Sequence, residues 1–130
     1  MAVLDELGWG PRWAALLDGA APGAVPARVT RHDGAGLLVV GEAGEQRVMF
    51  ASRLDPEPAV GDWVAVDEAL GAPVAVLPRT SLLRRRAAHG DGEQALAANV
   101  DAVLLVCGLD RPLRAGRIQR GAALAVDAGA

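Results

Sequence analysis

The spacing of hydrophobic and polar positions changes along the chain, and each change marks a predicted element. Residues 1–24 show helical spacing, with Trp13, Leu16 and Leu17 on one face, and predict a short helical arm that stops near Gly19. Residues 25–88 show short alternating runs separated by Gly, Asp and Pro, which predict strands with almost no helix between them. Five or so short strands in roughly sixty residues indicate a small OB-type barrel, with residues 81–86 as its last extended piece.

The remaining residues show a different pattern. Residues 89–100 are polar and then alanine-rich, which predicts a linker. The run Val-Leu-Leu-Val-Cys at 103–107 is typical of a strand covered on both faces, as in a parallel sheet, and residues 113–128 predict a helix that stops at Gly129. A strand followed by a helix is the first half of a βαβ unit, and no returning strand follows. We therefore expect a mainly β protein with a helical arm (1–24), an OB-fold barrel (25–88), and a linker with an incomplete α/β segment (89–130).

Charge is distributed unevenly along the chain. All 13 basic residues are arginine, and 16 acidic residues bring the net charge to -3, which does not suit a general nucleic-acid binder. Residues 55–77 sum to -5, whereas residues 78–90 hold four arginines and no acid, giving +4. A protein that is acidic overall can therefore still present a local basic patch to phosphates.

Catalytic, cofactor and metal motifs are absent from the sequence. The single cysteine, Cys107, excludes an internal disulfide and a cysteine-based zinc cluster. Neither GxGxxG nor GxxxxGK[ST] occurs, the chain has no lysine, and His32 and His89 lie far apart without a nucleophile. Because these motifs are missing, we expect no catalytic, cofactor or metal site in this chain. No apolar run approaches membrane-spanning length, so a cytoplasmic protein is expected.

Arginines are the remaining chemical signal. Because alternation puts Arg84 and Arg86 on one face of an extended segment and Arg85 on the other, only part of that run can share a surface. The alternative is a solvated strand edge that blocks strand addition. Trp63 is expected in the core, and with so few aromatic rings folded RNA read by phosphate and shape is favoured over stacked bases. The candidate RNA-binding residues are Arg28, Arg31, Arg79, Arg84, Arg85 and Arg86.

Three stretches carry a resemblance to a known family. PAVGDWVAVD, then VAVLPRTSLLRRRA, then EQALAANVDAVLLVCGLD resemble the N-terminal part of the ribosome small-subunit-dependent GTPases, the RsgA family, and the upstream LDELGW, PARVTRHDG and FASRL fit the same order. The resemblance implies an OB-fold domain followed by a permuted GTPase domain and a zinc-binding domain. It also implies a role in late maturation of the small (30S) ribosomal subunit, with small-subunit rRNA as the partner and neither DNA nor a membrane.

The sequence also departs from that family. Its guanine-reading Asn/Thr-Lys-x-Asp motif, phosphate loop and zinc ligands do not occur here, so GTP, magnesium and zinc are expected only for the full-length family members. We expect this chain to be a truncated part of such a GTPase and inactive alone. Two alternatives stay open: a stand-alone interaction or OB-type RNA-binding module without GTPase activity, and a dimer that pairs its apolar strand.

Overall fold

A computed structural model describes residues 2–86, 90 and 92–130. The fold is mainly β, as the sequence predicts, and it divides into a first compact unit up to Arg79 and a second from Thr80 onward. The elements, in chain order, are α1 (Ala2–Glu6), α2 (Pro11–Ala20), β1 (Val25–His32), β2 (Gly36–Gly41), β3 (Gly44–Met49), β4 (Trp63–Asp67), β5 (Ala72–Val76), β6 (Leu82–Arg86), β7 (Glu93–Ala98) and α3 (Ala115–Ala128).

The first unit contains a five-stranded antiparallel sheet in the order β3-β2-β1-β4-β5. Alternate residues of the strands point to one face and form a buried apolar cluster that includes Val29, Val39 and Val64. A register shift between Val29 and Arg31 marks a bulge in β1, which increases the local twist. The edge strands β3 and β5 contact each other, but no ladder joins them among the described residues. The architecture is that of an OB-like domain.

The helical arm covers the other face of this sheet. The arm consists of two helices, because Gly8 has φ +96 and Pro11 starts α2 at its first turn. Trp13 and Leu17 pack in a second buried cluster with Trp63, so the tryptophans of the arm pack locally within the first unit. Trp63 is 1% exposed, which confirms that it belongs to the core.

Strand β4 is buried on both faces as a result. Val64 and Val66 belong to the cluster on one side of the sheet, whereas Trp63 and Ala65 belong to the cluster under the arm. The centroids of the Trp9 and Trp63 rings lie 4.8 Å apart in an edge-to-face arrangement. Burial of large apolar side chains on both sides makes β4 the centre of the first unit.

The second unit contains a sheet that the sequence analysis did not predict. Leu82–Arg86, assigned above to the barrel, pairs antiparallel with Glu93–Ala98, assigned above to a linker. Both assignments are wrong for the described residues. The physical reason is that β7 has the sequence EQALAA, in which three alanines and a single leucine show no clear apolar alternation, so its backbone pairing cannot be seen in the hydrophobic pattern. The predicted domain boundary at residues 88 and 89 lies outside the described residues.

A side-chain network joins the open ends of β6 and β7. The Asn99 Oδ1 atom accepts hydrogen bonds from the Thr80 backbone N–H at 2.8 Å and from its hydroxyl at 3.2 Å. The Ser81 hydroxyl donates to the Val100 carbonyl at 2.8 Å and accepts from the Val100 N–H at 2.6 Å. Asn99 is 6% exposed and has φ +56, a conformation that asparagine tolerates better than most residues. The network therefore depends on asparagine at this position.

The apolar run at 103–107 belongs to no sheet. Leu104 is 87% exposed and Val106 is 79% exposed, so the expected burial on both faces is not found. A central strand needs a hydrogen-bonded neighbour on each edge, and the described residues supply neither. Leu105 packs on Gly121 of α3, where an added Cβ would lie 3.1 Å from its methyl carbons. Helix α3 ends at Gly129 with φ +83, which confirms the predicted stop.

Substitution of Asn99 tests the network between β6 and β7. Asn99→Gly keeps the left-handed backbone but removes the acceptor for Thr80, whereas Asn99→Ala adds a backbone cost of about 1 kcal/mol. We expect faster amide hydrogen exchange at residues 80–83 in both variants, with the larger increase in the alanine variant. Gln94→Ala, at an exposed position of β7 outside the network, serves as the control. Unchanged exchange in both Asn99 variants would contradict this role.

Candidate nucleic-acid interface

Arg79 forms a buried ion pair with Asp62. The Asp62 side chain is 0% exposed, and its two oxygens accept hydrogen bonds from Arg79 Nε at 2.9 Å and Nη2 at 2.7 Å. The Ala59 N–H donates to the same carboxylate at 2.8 Å. The hydrogen bond to Asp62 raises the pKa of Arg79 above its ordinary value. Arg79 therefore neutralises an internal carboxylate, and its guanidinium is held in place by that partner.

The same pair holds the loop before β4 against the rest of the sheet. Arg79 Nη2 also donates to the Glu57 carbonyl at 3.0 Å, while the Val29 N–H donates to the Asp62 carbonyl at 2.8 Å. The Gly61 N–H in turn donates to the Val29 carbonyl at 2.8 Å. These bonds join the loop, β1 and the residues after β5, so the sequence motifs containing Asp62 and Arg79 are parts of one structural contact.

Arg28 also has internal partners. Its Nε donates to the Gly61 carbonyl at 3.0 Å, and its Nη1 donates to the carbonyl of Leu7, just after α1. Its guanidinium lies 5.7 Å from the centre of the Trp63 ring, within cation–π range. Arg28 thus connects the arm, the loop before β4 and the sheet, which is a structural role.

Arg31 is an exposed residue of β1. It forms no hydrogen bond or ion pair with a described residue through its side chain. Across the ladder its neighbour is Leu38, whose own neighbour on β3 is Arg47. Sequence reasoning missed Arg47, although the alternation of β3 indicates an outward side chain; Arg47 is paired with Asp33 at 2.9 Å.

The three consecutive arginines of β6 differ in their partners. Arg84 contacts Glu93 and Asp127, each at 3.1 Å, and the hydrogen bond to Asp127 raises its pKa. Arg85 donates to Gln94 Oε1 at 3.2 Å. Arg86 is exposed, and its side chain has no hydrogen bond or ion pair to any described residue. Of the six predicted RNA-binding arginines, Arg31 and Arg86 are therefore those whose side chains have no such bond to a described residue.

The six residues are divided between the two units, with Arg28, Arg31 and Arg79 in the first and Arg84 to Arg86 in the second. The first unit has six arginines and eleven carboxylates, a net charge of -5. The second has seven arginines and five carboxylates, a net charge of +2. Sequence reasoning also missed the arginines at 111, 114, 117 and 120, whose three-residue spacing is visible in the sequence.

No group of three or more His, Cys, Asp or Glu residues that could hold a metal ion occurs in the part of the chain that the structure describes. His32 Nδ1 accepts the Gly34 N–H at 3.0 Å, and its Nε2 lies 3.2 Å from Glu57 Oε1. Cys107 is partly exposed, and His89 lies outside the described residues. None of the described helices has the length and hydrophobicity needed to cross a lipid bilayer.

Comparison with known proteins gives consistent similarity to one class, the small ribosomal subunit biogenesis GTPases. RsgA of Syntrophotalea carbinolica is 35% identical over 145 residues, covering 98% of this chain and 40% of that protein. RsgA of Opitutus terrae is 40% identical with 95% and 39% covered, and RsgA 2 of Vibrio parahaemolyticus is 38% identical with 96% and 35% covered. No protein-family model matches the chain. The chain corresponds to an N-terminal portion of RsgA proteins, and it spans about 35–40% of the length of these relatives.

Replacement of Arg79 separates structural arginines from those available to a ligand. Arg79→Gln leaves the buried Asp62 carboxylate without its cation, and we expect the free energy of unfolding to fall by about 3 kcal/mol. Arg31→Gln, the matched control, should change it by less than about 0.5 kcal/mol. Urea unfolding followed by tryptophan fluorescence measures the difference, because Trp9, Trp13 and Trp63 all lie in the first unit. Equal losses from the two variants would exclude the structural role of Arg79.

Proposed function

We propose that this chain acts in biogenesis of the small ribosomal subunit by docking on its rRNA. The observation that carries the proposal is the similarity to RsgA proteins over more than nine-tenths of the chain, since those relatives are named small ribosomal subunit biogenesis GTPases. The OB-like first unit agrees with this proposal, because OB-type domains frequently bind nucleic acids. A cytoplasmic location is part of the same proposal.

Recognition through RNA backbone and shape is favoured over recognition through stacked bases. The chain has three tryptophans and one phenylalanine; Trp13 and Trp63 are buried, and Trp9 and Phe50 are partly buried. An exposed ring is the platform on which proteins stack unpaired bases, and none of these four residues provides one. Exposed arginines such as Arg31 and Arg86 supply charge for phosphates instead.

Hydrolysis of GTP is assigned to full-length family members and not to this chain. Neither the phosphate loop GxxxxGK[ST] nor Asn/Thr-Lys-x-Asp occurs in the sequence, and lysine is absent. GTP and magnesium would be held by residues of those motifs, and zinc by cysteine and histidine ligands that this chain lacks. We propose that the part represented here supplies subunit binding.

GTP binding by this chain is the direct test of that assignment. We expect no saturable GTP binding in equilibrium dialysis with magnesium present, because the sequence has no loop of the P-loop type to hold the phosphates. A full-length member of the family serves as the positive control. Saturable binding at micromolar GTP would overturn the assignment.

Binding to purified ribosomal subunits tests the proposed function itself. We expect the chain to cosediment with small subunits in preference to large subunits. If about four phosphates are neutralised, the logarithm of the association constant should fall with the logarithm of salt concentration with a slope of about -3 to -4. Equal binding to both subunits, or a flat salt dependence, would contradict docking on small-subunit rRNA.

A further inference from the structure

Four arginines surround a cavity at the start of α3 in the second unit. The cavity has a volume of about 410 Å³, and Cys107, Gly108 and Asp110 also line it. The four side chains, which we call the arginine ridge, are Arg111, Arg114, Arg117 and Arg120. They are all exposed, and none belongs to the set predicted from the sequence to bind RNA.

The charges of the arginine ridge are not neutralised within the described chain. None of its four side chains forms a hydrogen bond or ion pair with a described residue. Asp110 is the one carboxylate that lines the cavity among the described residues. Elsewhere in the same unit Arg84 contacts two carboxylates, Glu93 and Asp127, so arginine pairing is available in this unit but does not occur at the ridge.

Helix α3 adds positive potential at the same place. Its first turn contains no acidic residue, and its N-cap residue, Arg114, makes no side-chain capping bond. The N-terminus of a helix carries a partial positive charge that an acidic residue in the first turn commonly offsets. Here arginines occupy that position, so the helix end and the arginine ridge attract anions together.

The form of the arginine ridge suits an extended polyanion. Arg114, Arg117 and Arg120 occur at every third position, which places successive Cα atoms about 4.5 Å apart along the helix axis. No Trp, Tyr or Phe occurs from 80 to 130, so a nucleotide base would find none of these rings to stack on in this unit. A row of separated guanidinium groups without such a partner favours contacts with several consecutive phosphates over capture of one nucleotide.

We propose that the arginine ridge binds the phosphodiester backbone of RNA. This inference rests on the proposed function and deepens it, because it assigns a phosphate-contacting surface to the second unit, in addition to the arginines predicted from the sequence. The net charge of +2 on the second unit, against -5 on the first, makes the second unit the better site for long-range attraction of RNA.

The test uses the full chain and a fluorescent RNA hairpin of unrelated sequence, with binding measured by anisotropy from about 50 to 200 mM salt. Arg117→Gln combined with Arg120→Gln removes two charges while keeping residues of similar helix propensity. We expect affinity at about 100 mM salt to fall at least about tenfold and the salt slope to become shallower by about 1.5. Circular dichroism checks that α3 is retained.

Two further variants make the result specific. Arg12→Gln combined with Arg53→Gln removes two exposed arginines of the first unit and should leave hairpin binding within about twofold of the unchanged chain. Arg117→Lys combined with Arg120→Lys keeps both charges and should retain most of the affinity, even if the glutamine variant proves unstable. Loss of binding in the lysine variant with α3 intact would overturn a site based on phosphate charge.

The outcomes distinguish this inference from the proposed function. If the chain does not bind the hairpin, or the glutamine variant keeps its full affinity and salt slope, the arginine ridge is not an RNA site, whatever small-subunit cosedimentation shows. If hairpin binding depends on the ridge but small subunits are not preferred over large ones, the inference stands and the proposed function fails. Equal competition by inorganic phosphate at matched ionic strength would indicate a single-anion pocket and overturn backbone binding.

Discussion

The first unit depends on the buried pair of Asp62 and Arg79. Transfer of a carboxylate from water into a folded interior costs several kcal/mol unless charge and hydrogen bonds replace the lost solvation. Here three N–H donors, two from Arg79 and one from the backbone of Ala59, satisfy the two oxygens. Because Arg79 follows β5 and Asp62 precedes β4, the pair also fixes where the β4–β5 part of the sheet begins and ends.

In the second unit, neutral polar side chains hold separate segments together, in place of an ion pair. Asn99 supplies an acceptor to Thr80, and Ser81 exchanges hydrogen bonds with Val100, so the ends of β6 and β7 are held by short polar side chains. The arginines of the two units have two kinds of role. Arg28 and Arg79 hold segments of the fold together through internal partners, and Arg84 forms exposed ion pairs, whereas exposed arginines without partners supply charge at the surface.

Strand alternation and helical spacing made most of the first unit predictable. They indicated the burial of Trp63 and, in the second unit, the stop of the last helix at Gly129. Contacts between residues that are distant in sequence show no such pattern. Whether Arg79 meets a phosphate or Asp62 depends on a contact between residues distant in sequence, and pairing of β7 depends on backbone groups that nearly every residue has. The strand predicted at 103–107 rested on the apolar run alone, and such a run does not say whether neighbouring strands are present.

The double burial of β4 has a consequence for sequence change. Each of its positions from Trp63 to Val66 packs either on the helical arm or on the interior of the sheet. A larger or smaller side chain there needs a compensating substitution in the arm or in the interior of the sheet, since packed interiors tolerate little alteration in volume. The exposed residues of β3 are under no such restriction, whereas Val48 of that strand belongs to the core. Divergence among relatives should therefore be slow and correlated along β4 and the arm, and fast and independent at the exposed positions of β3.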